Sequence, residues 1–365
     1  MKPLLFVTGH APAYRVGALA RLHEREQIEL ALFGGDSKHG GAEHDGELPF
    51  PHRHVSPRAL HALAASDRYR AVVCPTGGRL APLATWSGAR RGGVPLILWA
   101  SLWAHPRTPA HAFSYPALDR LYRSADAVVT YGPHVSAYVR AHGAHNVHVA
   151  PQSVDNGFWS STEVRAPSDP RWPQDVRSTF LFVGRAHREK GIDVLLEAWT
   201  ASGLRAPSAA LVLAGAGAGT PADGAVGLDS VGPLELRNMY DAAQVLVAPS
   251  IRTATFREPW GLVVNEAMNR GLAVIASDAV GAAAGGLVRN EINGLIVPAN
   301  DSAALAAAMC RLSDQSLQAR MGAAGASEVL AYSHDAWAQG FSRALASLGC
   351  SRQSSESPAR VGSVD

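Results

Sequence analysis

Two carboxylates stand on either side of seven residues in Glu258-Pro-Trp-Gly-Leu-Val-Val-Asn-Glu266. A carboxylate only accepts hydrogen bonds, which suits it to a ligand rich in hydroxyl donors, such as a sugar. Gly261 opens the helical pattern that follows. The amides of Gly261, Leu262 and Val263 therefore fall at a helix N-terminus, where N–H groups lack intrahelical partners and the helix dipole favours an anion. They can hold a phosphate or sugar oxygens. Glu266 lies one turn into the helix, placed to accept from a ribose diol. Glu258 precedes it, placed to accept from sugar hydroxyls.

A second constellation is Phe180-Leu-Phe-Val-Gly184-Arg185, followed by Lys190-Gly191. The apolar run reads as a buried strand ending at Gly184, with Arg185 and Lys190 on the loop behind it. Arginine offers a diphosphate a planar fork and lysine a point charge. The GxxxxGK[ST] spacing of a Walker loop is absent. Lysine occurs only at positions 2, 38 and 190, and the other 30 of the 33 basic residues are arginine. Lys190 is therefore not a by-product of a lysine-rich composition. Gly215-Ala-Gly217-Ala-Gly219 also follows a strand, but without the GxGxxG spacing it reads as a turn near the ligand, not as a dinucleotide fingerprint.

These groups need a frame, and the apolar runs supply one. Leu4 to Thr8, Ile28 to Phe33, Ala71 to Cys74, Leu96 to Ala100, Ala127 to Thr130 and Val147 to Ala150 lack polar alternation, as strands buried on both faces do. Amphipathic pieces such as Gly17 to Arg25 and His134 to His142 lie between them. This rhythm predicts a doubly wound parallel sheet. From Ser160 to Ser178 the chain turns polar and proline-rich. A second series follows, with strands expected at Phe180 to Val183, Ala210 to Ala214, Val245 to Ala248, Ala273 to Ser277 and Gly294 to Val297. The predicted organisation is a domain over 1–165, a linker over 166–178 and a second domain over 179–332. A C-terminal helix over 333–350 is expected to pack back on the first domain, ahead of a disordered tail over 351–365. Two such sheets predict a ligand site at their carboxyl ends, in a central cleft that the domains face.

Composition excludes several classes. With 365 residues, 47% hydrophobic and 18% charged, the chain suits two globular domains. A net charge of +2 gives no nucleic-acid footprint. Cys74, Cys310 and Cys350 have no metal-ligand spacing, and with no secretory signal they read as reduced thiols in a cytoplasm. No stretch of eighteen apolar residues is long enough to span a membrane.

Taken in order, these motifs resemble the family 4 glycosyltransferases. Gly-Arg-x4-Lys-Gly, Pro249-Ser250, the glutamate pair, Ala276-Ser277-Asp278, Asn293-Gly294 and Pro298 all fall in that family's sequence, and Ser101-Leu-Trp-Ala-His105, Tyr131-Gly132 and Gln152-Ser-Val-Asp155 extend the match over most of the chain. The resemblance implies the GT-B fold, an α/β architecture of two Rossmann-like domains. It implies a retaining transfer of a hexose or N-acetylhexosamine from a nucleotide-diphospho-sugar, with uridine ahead of guanosine as the base. The acceptor would be a hydroxyl of a glycan, a lipid-linked glycan or a small metabolite. Arg185 and Lys190 would bind the donor diphosphate, Glu258 the transferred sugar and Glu266 the ribose. Gly184, Gly261, Leu262 and Val263 would line the donor, and Gly232 and Leu234 would lie near the base. His105 would stand beside the reacting sugar from the first domain. No metal is expected, since Arg185 and Lys190 carry the positive charge. The resemblance also leaves room for a peripheral contact with the inner membrane face. Where many relatives carry paired glycines, the first loop reads Thr8-Gly-His-Ala-Pro-Ala-Tyr-Arg15, and Thr253 to Phe256 reads as a small insertion. Tyr14, Arg15, Trp99, Trp103 and Tyr131 are candidates to line an acceptor pocket, with core packing the competing role of the tryptophans.

Two other functions fit the same fold: a nucleotide-sugar 2-epimerase or glycosyl phosphorylase, and a non-catalytic nucleotide-sugar-binding module. Retention of the whole charged set Arg185, Lys190, Glu258 and Glu266 argues against the module.

Overall fold

A computed structural model describes residues 2–34, 48–78, 80–108, 114–163, 165–217 and 224–352. They form two compact units. The first draws on residues within 1–101, 109–151 and 334–365, and the second on 102–108 and 152–333.

The first unit is built on a parallel sheet of β1 (Leu4–Thr8), β2 (Ile28–Leu32), β3 (His52–His54), β4 (Ala71–Pro75), β5 (Leu96–Ala100), β6 (Ala127–Thr130) and β7 (Val147–Val149). Its order is β3-β2-β1-β4-β5-β6-β7. The central strands are buried on both faces, which is why they read as unbroken apolar runs. The His-Arg-His edge strand β3 gives no apolar signal and was legible only from its pairing with β2. Helix His334–Ser347 closes one face of this sheet, burying Trp337 and Phe341 against Phe6. A Cβ at Gly340 would lie 2.5 Å from Val149 O, so glycine lets the helix backbone sit directly on the sheet edge.

The chain does not loosen immediately after that helix, as a tail beginning at 351 would. Glu26 is fully buried, and a buried carboxylate needs donors. Arg70 supplies one at 2.8 Å, and Ser351 Oγ and the Arg352 amide supply two more at 3.0 Å each. Ser351 and Arg352 are thus docked. The rest of the expected tail, 353–365, lies outside the described residues, as do Lys38 and Gly219.

The second unit repeats the plan with β8 (Ser178–Val183), β9 (Ala209–Ala214), β10 (Ala225–Leu228), β11 (Val245–Ala248), β12 (Ala273–Ser277) and β13 (Gly294–Val297). The order β10-β9-β8-β11-β12-β13 is that of a Rossmann sheet. The unit begins at Gln152, ahead of the composition change at Ser160. Carbonyls just ahead of the expected linker, in residues expected to belong to the first domain, are claimed by arginines of the second unit. Arg237 donates to Phe158 O (3.0 Å) and Glu163 O (2.6 Å), and Arg270 donates to Ser161 O (2.6 Å). Ser168 bonds Glu235, and Trp172 is buried. A polar, proline-rich composition marked the end of regular structure here, not freedom from the domain.

Candidate functional site

In the six-stranded sheet the winding reverses between β8 and β11, with β9 and β10 to one side and β12 and β13 to the other. Loops leaving the carboxyl ends of such a strand pair turn to opposite faces, and the crevice between them is where open α/β sheets bind ligands. Arg185 to Gly191 leave β8, and Pro249 to Gly261 leave β11. Both constellations singled out in the sequence thus stand on the two loops that flank this point. The loops are joined: the Ile251 amide donates to Glu189 O at 2.9 Å. Gly191 has φ +74°, and a Cβ there would lie 2.1 Å from Pro249 O, so only glycine allows the approach.

Glu258 is buried and fixed at both ends. Its carbonyl accepts from Trp103 Nε1 and from the Gly281 amide, each at 3.1 Å. Its carboxylate accepts from Ser250 Oγ at 3.3 Å and pairs with Lys190 Nζ. Ser250 is itself held close, since its carbonyl accepts from Ser277 Oγ. The lysine of the β8 loop and the first glutamate of the β11 loop therefore form an ion pair.

Behind Glu258, Gly261 turns the chain into helix Leu262–Asn269 with φ +91°. Among the described residues, the amides of Gly261, Leu262 and Val263 donate to no backbone carbonyl; the first amide bonded back is that of Val264, to Gly261 O at 3.0 Å. The turn is held from below. Trp260 Nε1 donates to buried Asn265 (2.7 Å), whose amide donates to Gln152 O (3.1 Å). Gly281 passes so near that a Cβ would lie 2.0 Å from Pro259 O.

Glu266 is half-buried one turn into the helix and accepts from Tyr240 Oη at 2.8 Å. Burial pushes its carboxyl up to about 7, while the tyrosine bond pulls the other way. Burial, reinforced by the Glu266 charge, holds Tyr240 well above the ordinary phenol value. At neutral pH Glu266 is thus poised between acid and carboxylate, and hydroxyl donors brought to it would favour the carboxylate.

The other expected site residues divide. Arg185 is exposed, and among the described residues its side chain has no hydrogen-bond or ion-pair partner. Gly184 carries the end of β8, its amide on Ala214 O at 2.9 Å. A Cβ at Gly215 would lie 3.0 Å from Gly184 O, which sets the first glycine of that run against the β8 loop. Gly232 caps helix Pro233–Ala242, with no heavy atom near where its Cβ would be, and Leu234 is 63% exposed. That is open apolar surface, and among the described residues no hydrogen bond joins these two to the Glu258 loop. His105 does not belong with the first unit. Segment 102–108 groups with the second, where Trp103 bonds Glu258 and the Arg107 amide bonds Ala254 O at 2.5 Å. In the first unit, Arg15 is buried with its guanidinium 5.3 Å from the Tyr14 ring, 5.4 Å from Trp99 and 5.6 Å from Trp337. That packing favours a core role for Trp99. Tyr240 and the Trp103 bond were missed, because neither a partner 26 residues away nor one 155 residues away leaves a spacing to read.

Residues 177–315 match the family model described as Glycosyl transferases group 1. Solved structures extend the likeness in fold beyond the matched residues. Sucrose-phosphate synthase from Thermosynechococcus elongatus superposes with TM-score 0.72 at 20% identity, covering 96% of this chain and 99% of that one. HepE from Anabaena, solved with UDP and glucose, gives 0.70 at 15%, covering 95% and 100%. A UDP-forming trehalose-phosphate synthase from Burkholderia xenovorans gives 0.69 at 13%, covering 95% and 99%. The fold of the chain is GT-B. No curated protein matches at the level of sequence. No helix among the described residues is long and apolar enough to cross a membrane.

Proposed function

We propose that the protein is a retaining glycosyltransferase that takes a sugar from a nucleotide-diphospho-sugar, a UDP-sugar first and a GDP-sugar second, and passes it to an acceptor hydroxyl. The observation that carries this reading is the set of three amides at Gly261, Leu262 and Val263 that have no backbone partner among the described residues, with the Lys190–Glu258 pair before them in the chain and Glu266 after them. Amides at a helix N-terminus hold phosphate, and carboxylates on either side of it hold hydroxyls. The neighbours solved with UDP or described as UDP-forming support the choice of base.

In this reading the diphosphate lies on the three amides, with Arg185 and Lys190 as its cations, and the ribose diol donates to Glu266. Lys190 has to leave Glu258 to reach a phosphate, which frees that carboxylate for the sugar hydroxyls. The ion pair thus keeps both groups satisfied until the donor separates them. The bond from the anomeric carbon to the diphosphate oxygen breaks with its electron pair passing to that oxygen. The acceptor oxygen forms the new bond on the same face, and its proton goes to the leaving phosphate. Catalysis comes from donors already aimed at the charge that grows on the leaving group. Acceptor binding falls to the first unit, and His105 is assigned a place beside the reacting sugar.

The test is to incubate the protein with UDP-glucose, UDP-N-acetylglucosamine and GDP-mannose, with and without a panel of hydroxyl acceptors. Nucleoside diphosphate released only when an acceptor is present supports transfer. Release without an acceptor, or none in any combination together with no nucleotide binding, rejects it.

A further inference from the structure

Three arginines crowd the loop just ahead of Glu258. Arg252 and Arg257 lie at the two ends of Thr253 to Phe256, the stretch that reads as an insertion. Arg107 joins them because segment 102–108 runs along that insertion, its own amide bonded to Ala254 O. Arg257 is half-buried and lies 5.1 Å above the ring of Trp103, whose indole N–H bonds the Glu258 carbonyl. One ring therefore fixes the position of the guanidinium relative to the glutamate. Like charges repel, and desolvation makes the repulsion worse. Burial and then the charges of Arg252 and Arg107 pull the Arg257 guanidinium below its ordinary value. Among the described residues the carboxylate acting on it is that of Asp278, which is already taken: one oxygen pairs with Arg252 at 2.5 Å, and the other accepts from the Ala299 amide at 2.9 Å. Among the described residues, neither Arg107 nor Arg257 has an ion-pair partner. The insertion is closed by its own bonds, the Phe256 amide donating to Thr253 Oγ1 at 3.0 Å.

We propose that Arg107 and Arg257, with Arg252 at the rim, form an anion subsite beside Glu258 that selects a sugar substrate bearing a phosphate or carboxylate. The proposal rests on the reading of Glu258 as the group that meets the transferred sugar. A guanidinium held over an indole keeps a planar fork of N–H donors, which suits both anions. The charge can arrive on the donor, as a uronic acid carboxylate, or on the acceptor, as a sugar phosphate.

Calorimetry on the full chain distinguishes these. UDP is titrated first. UDP-glucuronate is then compared with UDP-glucose, and glucose 6-phosphate with glucose in the presence of saturating UDP. The subsite predicts that one charged probe binds at least about tenfold tighter than its neutral partner. The winning pair says which substrate carries the anion. Arg257→Gln and Arg107→Gln should each remove that preference, Arg257→Lys should retain part of it, and UDP affinity should be unchanged in all three. No preference in the wild type, or a preference that survives Arg257→Gln, overturns the proposal. Failure of UDP to bind, with glucose 6-phosphate still held in an Arg257-dependent way, would overturn the donor reading and keep the anion subsite.

Discussion

Lowering the pH from about 8 to about 6 should weaken nucleotide binding through Glu266. Burial places its carboxyl at about 7, and Tyr240 Oη already donates to it at 2.8 Å. A ribose diol brings two further donors, which only the carboxylate accepts without rearrangement. Binding must then expel a proton wherever the free group is protonated. With a value near 7, the carboxylate share falls about tenfold over this interval, so the dissociation constant should rise about tenfold, or about 1.4 kcal/mol. The assay is calorimetric titration of UDP across the range, in two buffers of different ionisation enthalpy so that proton release is counted directly. The terminal phosphate of UDP titrates near 6 as well, and Glu266→Gln separates the two effects, since it keeps the phosphate term and removes the carboxyl. The same group leaves a mark on stability. Its folded value lies above the ordinary 4.5, so it favours the folded state in acid, and that contribution is lost as the pH rises through 7. At about 1.4 kcal/mol per unit the loss over the 2.5 units between 4.5 and 7 is about 3.5 kcal/mol, and it should be absent from the Gln variant. Identical pH profiles for the wild type and Glu266→Gln would refute the reasoning.

Lys190→Ala should lower turnover about a hundredfold, equivalent to about 3 kcal/mol of barrier, and should also lower the melting temperature, because buried Glu258 loses its partner. In steady-state kinetics Glu258→Gln should cut kcat strongly while UDP affinity, measured separately, persists; full activity would remove Glu258 from the reaction. Tyr240→Phe deletes the one bond that favours the Glu266 carboxylate, so the pH at which nucleotide binding is half lost should move upward in the same calorimetric assay. Gly281→Ala forces a Cβ to within 2.0 Å of Pro259 O and should displace the turn that carries Gly261, losing nucleotide affinity along with several degrees of melting temperature.

The frame of both units was readable because strands covered on both faces must be apolar throughout, and β1, β5, β6, β11, β12 and β13 begin and end where their apolar runs do, within a residue or two. Two of the four edge strands were not. His52–His54 and Ala225–Leu228 each have a neighbour on one side only, and their composition follows no rule of burial. Lys190, Glu258, Gly261 and Glu266 were identifiable as a group because they fall on the loops behind two strands and on the first turns of a helix, and such places leave marks in glycine and charge. What the residues do to one another was not identifiable. That Lys190 pairs with Glu258, that Tyr240 supports Glu266, and that Trp103 reaches the Glu258 carbonyl are facts of tertiary approach between segments with no common period. The origin of the second unit at Gln152, ahead of the polar stretch, was hidden for the same reason. Arg237 and Arg270 look like surface charges in the sequence, yet they hold the segment by its carbonyls.

The account stands on a pyrophosphate lying across the start of helix Leu262–Asn269. A crystal structure of the protein with UDP tests this most directly. Phosphate oxygens within hydrogen-bond distance of the Gly261 to Val263 amides, Lys190 drawn off Glu258 onto a phosphate, and the ribose on Glu266 are the predicted result. UDP bound away from that helix, with the Lys190–Glu258 pair intact, would contradict it.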